Sequence, residues 1–287
     1  MSPEASAPEE WCTGSPIISA SDPGRATGQI RGTQMRPVLR RWRAPDGAGL
    51  AYWQLGEGRP LILMPGFSGS QEWIEHGLAA AFAAVGRQVI MPDPRGHGAS
   101  NRQHQASAYP PDVLASDGLA LVSELGLRDS DVGYDLLGYS LGGRVVLRML
   151  VRGARPAHAV VAGQGLDATS AASDRTIRRQ RLLTAMVDGT PLEPGERVLA
   201  DWMTQRGVDP RALLLVLDSF VATPPEALAR ISSPTLVVVG ERDPRAGADT
   251  LAAAIPGARF TRVPGDHDAL TRPQLLATIL AFLDGPG

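Results

Sequence analysis

Gly138-Tyr139-Ser140-Leu141-Gly142 carries the spacing Gly-x-Ser-x-Gly between an apolar run that ends in a turn and a helical pattern from Arg144 to Leu150. With no side chain at 138 or 142, a strand can reverse sharply into a helix and leave the Ser140 hydroxyl exposed at the bend. That position lies near a helix N-terminus, where backbone N–H groups and the helix dipole favour developing negative charge. The chemistry on offer is nucleophilic attack by the hydroxyl. A serine hydroxyl is a weak nucleophile at neutral pH, so it needs a base, and the base needs an orienting acid. Five histidines are available, at positions 76, 97, 104, 158 and 267.

On this elbow the chain resembles the α/β-hydrolase superfamily, in its serine-nucleophile, capped form. The resemblance implies the order nucleophile, acid, histidine, with the acid after a late strand. Gly240-Glu241-Arg242-Asp243-Pro244 follows the run Val237–Val239, which makes Asp243 the acid, with Glu241 and Asp167 as competitors. His267, in Val263-Pro264-Gly265-Asp266-His267-Asp268, is the only histidine C-terminal to that acid and becomes the base. Asp266 and Asp268 flank the histidine too closely to orient it and read as loop charges. The resemblance also implies an oxyanion hole made by the backbone N–H groups of Leu141 and Phe67. The superfamily usually has His-Gly before the second donor, whereas this chain has Pro65-Gly66. The hydrogen bond that histidine makes is therefore missing, which leaves open how the loop is held. Asp93-x-Arg95-Gly96-x-Gly98-x-Ser100 is similar to the loop after the fourth strand in many of these enzymes and reads as a turn held by an arginine, with no catalytic part for His97.

The elements that must position these residues follow from periodicity. Val38–Trp42 and Leu50–Leu55, separated by Pro45-Asp46-Gly47-Ala48-Gly49, read as an antiparallel hairpin. Continuous apolar runs at Leu61–Met64, Gln88–Met91, Ala157–Ala162 and Thr235–Gly240, with Arg259–Val263, read as strands of a mostly parallel sheet covered on both faces. Helical patterns at Glu72–Val85, Asp112–Leu125, Ala246–Ala254 and Thr271–Leu283 alternate with them, as βαβ units require. The fold class is α/β, an α/β-hydrolase core over residues 36–165 and 231–287. Residues 166–230 break the rhythm with candidate helices Thr176–Val187, Pro194–Arg206 and Pro210–Val221, and the resemblance implies a helical cap there. Residues 1–35 are rich in Pro, Ser, Gly, Ala and Glu without apolar periodicity and read as a flexible extension.

Composition narrows the chemistry further. All 28 basic residues are arginine, so Schiff-base, pyridoxal-phosphate and Walker A lysines are excluded. A net charge of -2 gives no footprint for nucleic acid or an anionic membrane, and no apolar run is long enough to span a bilayer. Cys12 is the single cysteine, so no internal disulfide or cysteine metal site forms, and no cofactor or metal motif is present. A cytoplasmic protein is expected, and no feature specifies an oligomeric state.

The expected partner is a small apolar carbonyl compound. Leu182, Leu183, Met186, Val187, Trp202, Met203, Leu213, Leu214, Leu215 and Phe220 could line its pocket, although for each of them holding the cap together is the plainer role. Arg175, Arg178, Arg179 and Arg181 could face an acidic substrate, but residues 168–230 hold eight arginines and eight carboxylates, and a solvated helix face is the expectation. The primary reading is a serine hydrolase of an ester, lactone or thioester through an acyl-enzyme on Ser140. The alternative uses the same residues for C–C bond hydrolysis or as a biosynthetic thioesterase or cyclase. A non-catalytic ligand receptor would be expected to lose a triad member or the elbow, and this chain keeps them all.

Overall fold

The computed structural model describes residues 36–243, 245, 247–267 and 272–285. The extension read at 1–35 and the loop charge at Asp268 lie outside the described residues. Eight strands form one sheet in the order β1-β2-β4-β3-β5-β6-β7-β8. The strands are β1 (Val38–Arg43), β2 (Gly49–Leu55), β3 (Arg59–Met64), β4 (Arg87–Asp93), β5 (Asp135–Tyr139), β6 (His158–Ala162), β7 (Thr235–Gly240) and β8 (Arg259–Val263). The β1–β2 and β2–β4 pairs are antiparallel and all others are parallel.

Period-2 alternation explains why the inner strands are apolar throughout. Leu61 and Leu63 of β3 enter one core with Trp73, Phe82, Leu275 and Phe282, while Ile62 and Met64 enter the other with Leu121, Val146 and Leu147. The first layer is built by α1 (Gln71–Glu75), α2 (Leu78–Ala84) and α10 (Pro273–Leu283). The second contains α3 (Val113–Glu124), α4 (Leu141–Val151) and α9 (Ala248–Ala253).

Two expectations need correction. The single helix read over Glu72–Val85 is two, because Gly77 adopts a left-handed φ of 71° and turns the chain between them. Between β6 and β7 the expected α5 (Asp174–Asp188), α6 (Pro194–Gln205) and α7 (Pro210–Asp218) are joined by a short α8 (Pro225–Leu228) that periodicity does not reveal in so brief a run. Each of these four begins with a local signal: the Ser173 side chain accepts from Thr176 N–H, Glu193 and Glu196 form a capping box, Asp209 accepts from Arg211 and Ala212 N–H, and Pro225 sits at the first helical position. Among the described residues no helix is long and apolar enough to cross a membrane.

Candidate active site

The elbow is built as its glycines require. Ser140 has φ 53° and ψ −115°, a conformation that costs a non-glycine residue about 1–3 kcal/mol. A Cβ on Gly142 would lie 1.9 Å from the Met64 carbonyl oxygen, and one on Gly138 would lie 2.1 Å from the Gly142 carbonyl oxygen. Only glycine at both positions lets α4 start directly from β5 and press against the end of β3. The turn is pinned by Ser140 N–H donating to the Ala162 carbonyl at 2.9 Å and by the Gln164 amide donating to the Ser140 carbonyl.

The loops after β7 and β8 bring the other two predicted residues to this serine. His267 Nε2 lies 3.0 Å from Ser140 Oγ, and His267 Nδ1 lies 2.8 Å from Asp243 Oδ2. The Asp243 carboxylate is almost wholly buried, so its charge is directed at the imidazole and not at solvent. With Nδ1–H donated to Asp243, Nε2 is left as the basic nitrogen facing the serine. Tyr139 stacks on the imidazole with centroids 5.5 Å apart, and its hydroxyl donates to the His267 carbonyl.

The competing acids are placed elsewhere. Asp167 pairs with Arg175 at 3.3 Å and lines the cleft, and Glu241 is exposed. His97 is buried 3.1 Å from the Arg95 carbonyl, and burial holds its pKa below 6.5. Arg95 forks onto Asp117 at 2.8 and 3.0 Å and reaches Asp46 at 2.7 Å, so this turn is held by an arginine as expected.

Phe67 and Leu141 both border the cleft beside Ser140. The loop bearing Phe67 is held by a residue the sequence did not single out. The Glu72 carboxylate, on the first turn of α1, accepts from Gly66 N–H with one oxygen and from the Ser68 hydroxyl with the other. Burial raises the Glu72 pKa, while these two hydrogen bonds pull it down. Beside this acidic clamp, Ser70 donates its hydroxyl to Asp93.

The cleft departs from the apolar pocket expected. Among the described residues Arg144, Arg175, Arg179 and Arg245 line it together with one carboxylate, Asp167. Arg175 and Arg179 therefore correct the reading of a solvated helix face, whereas Arg181 does point outward, to Glu196 at 2.6 Å. Of the apolar candidates Phe220 reaches the cleft, while Leu182, Leu183, Met203 and Leu213 are buried in the packing of α5–α7. Arg245, two residues beyond Asp243, was also missed; its Nη2 lies 2.8 Å from His267 Nε2 and 3.3 Å from Ser140 Oγ. Among the described residues no cluster of His, Cys, Asp and Glu could hold a metal ion.

Residues 61–279 match the alpha/beta hydrolase family, and the chain belongs to it. A 2-succinyl-6-hydroxy-2,4-cyclohexadiene-1-carboxylate synthase of Escherichia coli is 33% identical over 162 residues, 53% of this chain, and the chain spans 58% of the length of that relative. The synthase of another strain of the species is 32% identical over 234 residues, covering 70% of this chain and 86% of the relative. An esterase from Exiguobacterium antarcticum shares the fold with a TM-score of 0.68 at 19% identity, covering 85% of this chain and 99% of that one. An esterase from a Rhodococcus species does so with a TM-score of 0.65 at 22% identity, covering 87% and 99%.

Proposed function

We propose that the protein is a serine hydrolase that forms an acyl-enzyme on Ser140, with His267 as base and Asp243 as its orienting acid. The observation that carries this is the unbroken chain from Ser140 Oγ through His267 to the buried Asp243, at 3.0 and 2.8 Å, on a strained elbow. His267 Nε2 takes the Ser140 proton as Oγ attacks a carbonyl carbon. The oxyanion is received by the backbone N–H groups of Leu141 and Phe67, His267 returns the proton to the leaving group, and water releases the acyl group by the same path. Residues 166–230 act as the cap, a reading supported by Ala168, Thr176, Leu217 and Phe220 of that segment lining the cleft with Ser140. The substrate is a small or medium-sized ester, lactone or thioester. A second reading, C–C bond chemistry or biosynthetic thioesterase or cyclase activity on the same residues, is favoured by the match to relatives named as synthases. The working place is taken to be the cytoplasm.

Stopped-flow hydrolysis of p-nitrophenyl esters tests the first reading. A burst of p-nitrophenol equal to the enzyme concentration, absent from Ser140→Ala, is expected. Turnover of the esters by Ser140→Ala at the wild-type rate would overturn it.

A further inference from the structure

The four arginines of the cleft are not equally engaged. Arg175 is paired with Asp167. Arg144 donates to the carbonyls of Ala168 and Ser170 at 2.8 Å and of Val221 at 3.1 Å, tying α4 to the segments around it. The other two have neither such a set of carbonyl acceptors nor, among the described residues, a carboxylate at hydrogen-bond distance. Arg245 has a side chain only 5% exposed and is ion-paired with Asp167 at 3.6 Å and Asp243 at 3.7 Å, and among the described residues its Nε has no hydrogen-bond partner. Arg179 lies over the Phe67 ring at 5.0 Å, with the Met203 sulfur at 3.8 Å as its polar contact. Among the described residues it has no salt bridge. Burial lowers the pKa of Arg245 to about 10 and that of Arg179 in the same direction, and at neutral pH the Arg245 guanidinium is still charged.

Arg179 is a largely desolvated cation with no ion pair among the described residues, Arg245 meets its two carboxylates only at ion-pair distance, and a planar guanidinium fork matches a further carboxylate. The position of Arg245 adds a second point. A neutral imidazole has one lone pair on Nε2, and Arg245 Nη2 at 2.8 Å competes for it with the Ser140 hydroxyl at 3.0 Å. The free space left in the cleft is about 50 Å³, enough for a few waters. Arg245 must therefore move before Ser140 can react.

We propose that the cleft selects an acyl substrate carrying a carboxylate, which Arg179 and Arg245 grip while it draws Arg245 off His267. The proposal rests on the reading of Ser140 as nucleophile. It replaces the apolar substrate of the sequence reading with an anionic one, and it makes the resting site slower to react with uncharged acyl compounds than with charged ones.

Two measurements test it independently of each other. In the first, kcat/KM is compared for p-nitrophenyl hydrogen glutarate and p-nitrophenyl pentanoate, which differ by the distal carboxylate. Wild type should prefer the charged ester by about 10- to 100-fold, and Arg179→Gln should remove most of that preference, with Arg179→Lys keeping part of it. In the second, glutarate binding to Ser140→Ala is followed by calorimetry, where adding Arg179→Gln or Arg245→Gln should weaken binding by about tenfold or more. Arginine-dependent glutarate binding with neither ester hydrolysed would uphold the anion site and reject the acylation reading. Hydrolysis of both esters with no charge preference would uphold acylation and overturn the anion site, as would glutarate binding that ignores both arginines. Arg245→Gln should also react faster than wild type with an uncharged fluorophosphonate, and slower reaction would overturn the occluding role. If Arg245→Gln does not fold, Arg179→Gln still decides the anion site.

Discussion

Replacing Glu72 by alanine should cripple turnover while leaving the Ser140, His267 and Asp243 side chains in place. The carboxylate holds two donors of the Phe67 loop, Gly66 N–H and the Ser68 hydroxyl, and both lose their acceptor in Glu72→Ala. The orphaned Gly66 N–H is buried and costs about 1–3 kcal/mol, while the half-buried Ser68 hydroxyl can turn to water, so the loop gains about 1–3 kcal/mol by shifting. Such a shift moves the neighbouring Phe67 N–H, and losing an oxyanion donor costs about two to three powers of ten in kcat. Glu72→Gln keeps an acceptor for Gly66 N–H and lets the Ser68 hydroxyl rotate to accept from the amide, so it should stay within about threefold of wild type. The assay is kcat and KM on one ester for the three proteins, with thermal unfolding to show that each is folded. A folded Glu72→Ala with wild-type kcat would refute the clamp. Equal losses in Glu72→Ala and Glu72→Gln would show that the charge, not the hydrogen-bonding geometry, matters.

Asp243→Asn keeps the shape at His267 but favours the wrong tautomer, and kcat should fall by about 10³- to 10⁴-fold with little change in Tm. Gly142→Ala would put a Cβ 1.9 Å from the Met64 carbonyl oxygen, backbone that cannot yield cheaply, so urea unfolding should show a loss of several kcal/mol. His97 is buried with its pKa held below 6.5, so beneath pH 6.5 the unfolded chain binds a proton that the folded one refuses. Its contribution is lost as pH falls, by up to about 1.4 kcal/mol per pH unit, and the urea midpoints of His97→Gln should vary less between pH 7 and 5 than those of wild type. Glu72 has the opposite sign: its raised pKa makes its contribution greatest below the ordinary 4.5 and lost as pH rises through the raised value.

What could be read from the sequence was whatever the chain writes locally. The buried strands are continuous apolar runs, and the elbow is two glycines about a serine. The expectation of Asp243 and His267 rested on the order nucleophile, acid, histidine that the resemblance implies, with one histidine after the candidate acid and with Glu241 and Asp167 as competing acids. Side-chain reach across loops could not be read. Glu72 acts on Gly66 and Ser68 by folding back over a turn, and Arg245 reaches His267 from the far side of Asp243. Charge counting failed for α5 because it averages over the helix. Arg175 and Arg179 stand four apart and share a stripe with the buried Leu182 and Leu183, which places them inward, while Arg181 lies off that stripe. The break at Gly77 was missed because a single glycine inside an apolar pattern does not announce whether it will take a left-handed φ.

The central claim is that Ser140 is an activated nucleophile, and intact mass after treatment with a fluorophosphonate tests it most directly. Wild type should gain one adduct, Ser140→Ala none, and His267→Gln should label far more slowly than wild type. A folded wild-type protein that gains no adduct, or Ser140→Ala labelled as fully as wild type, would contradict it.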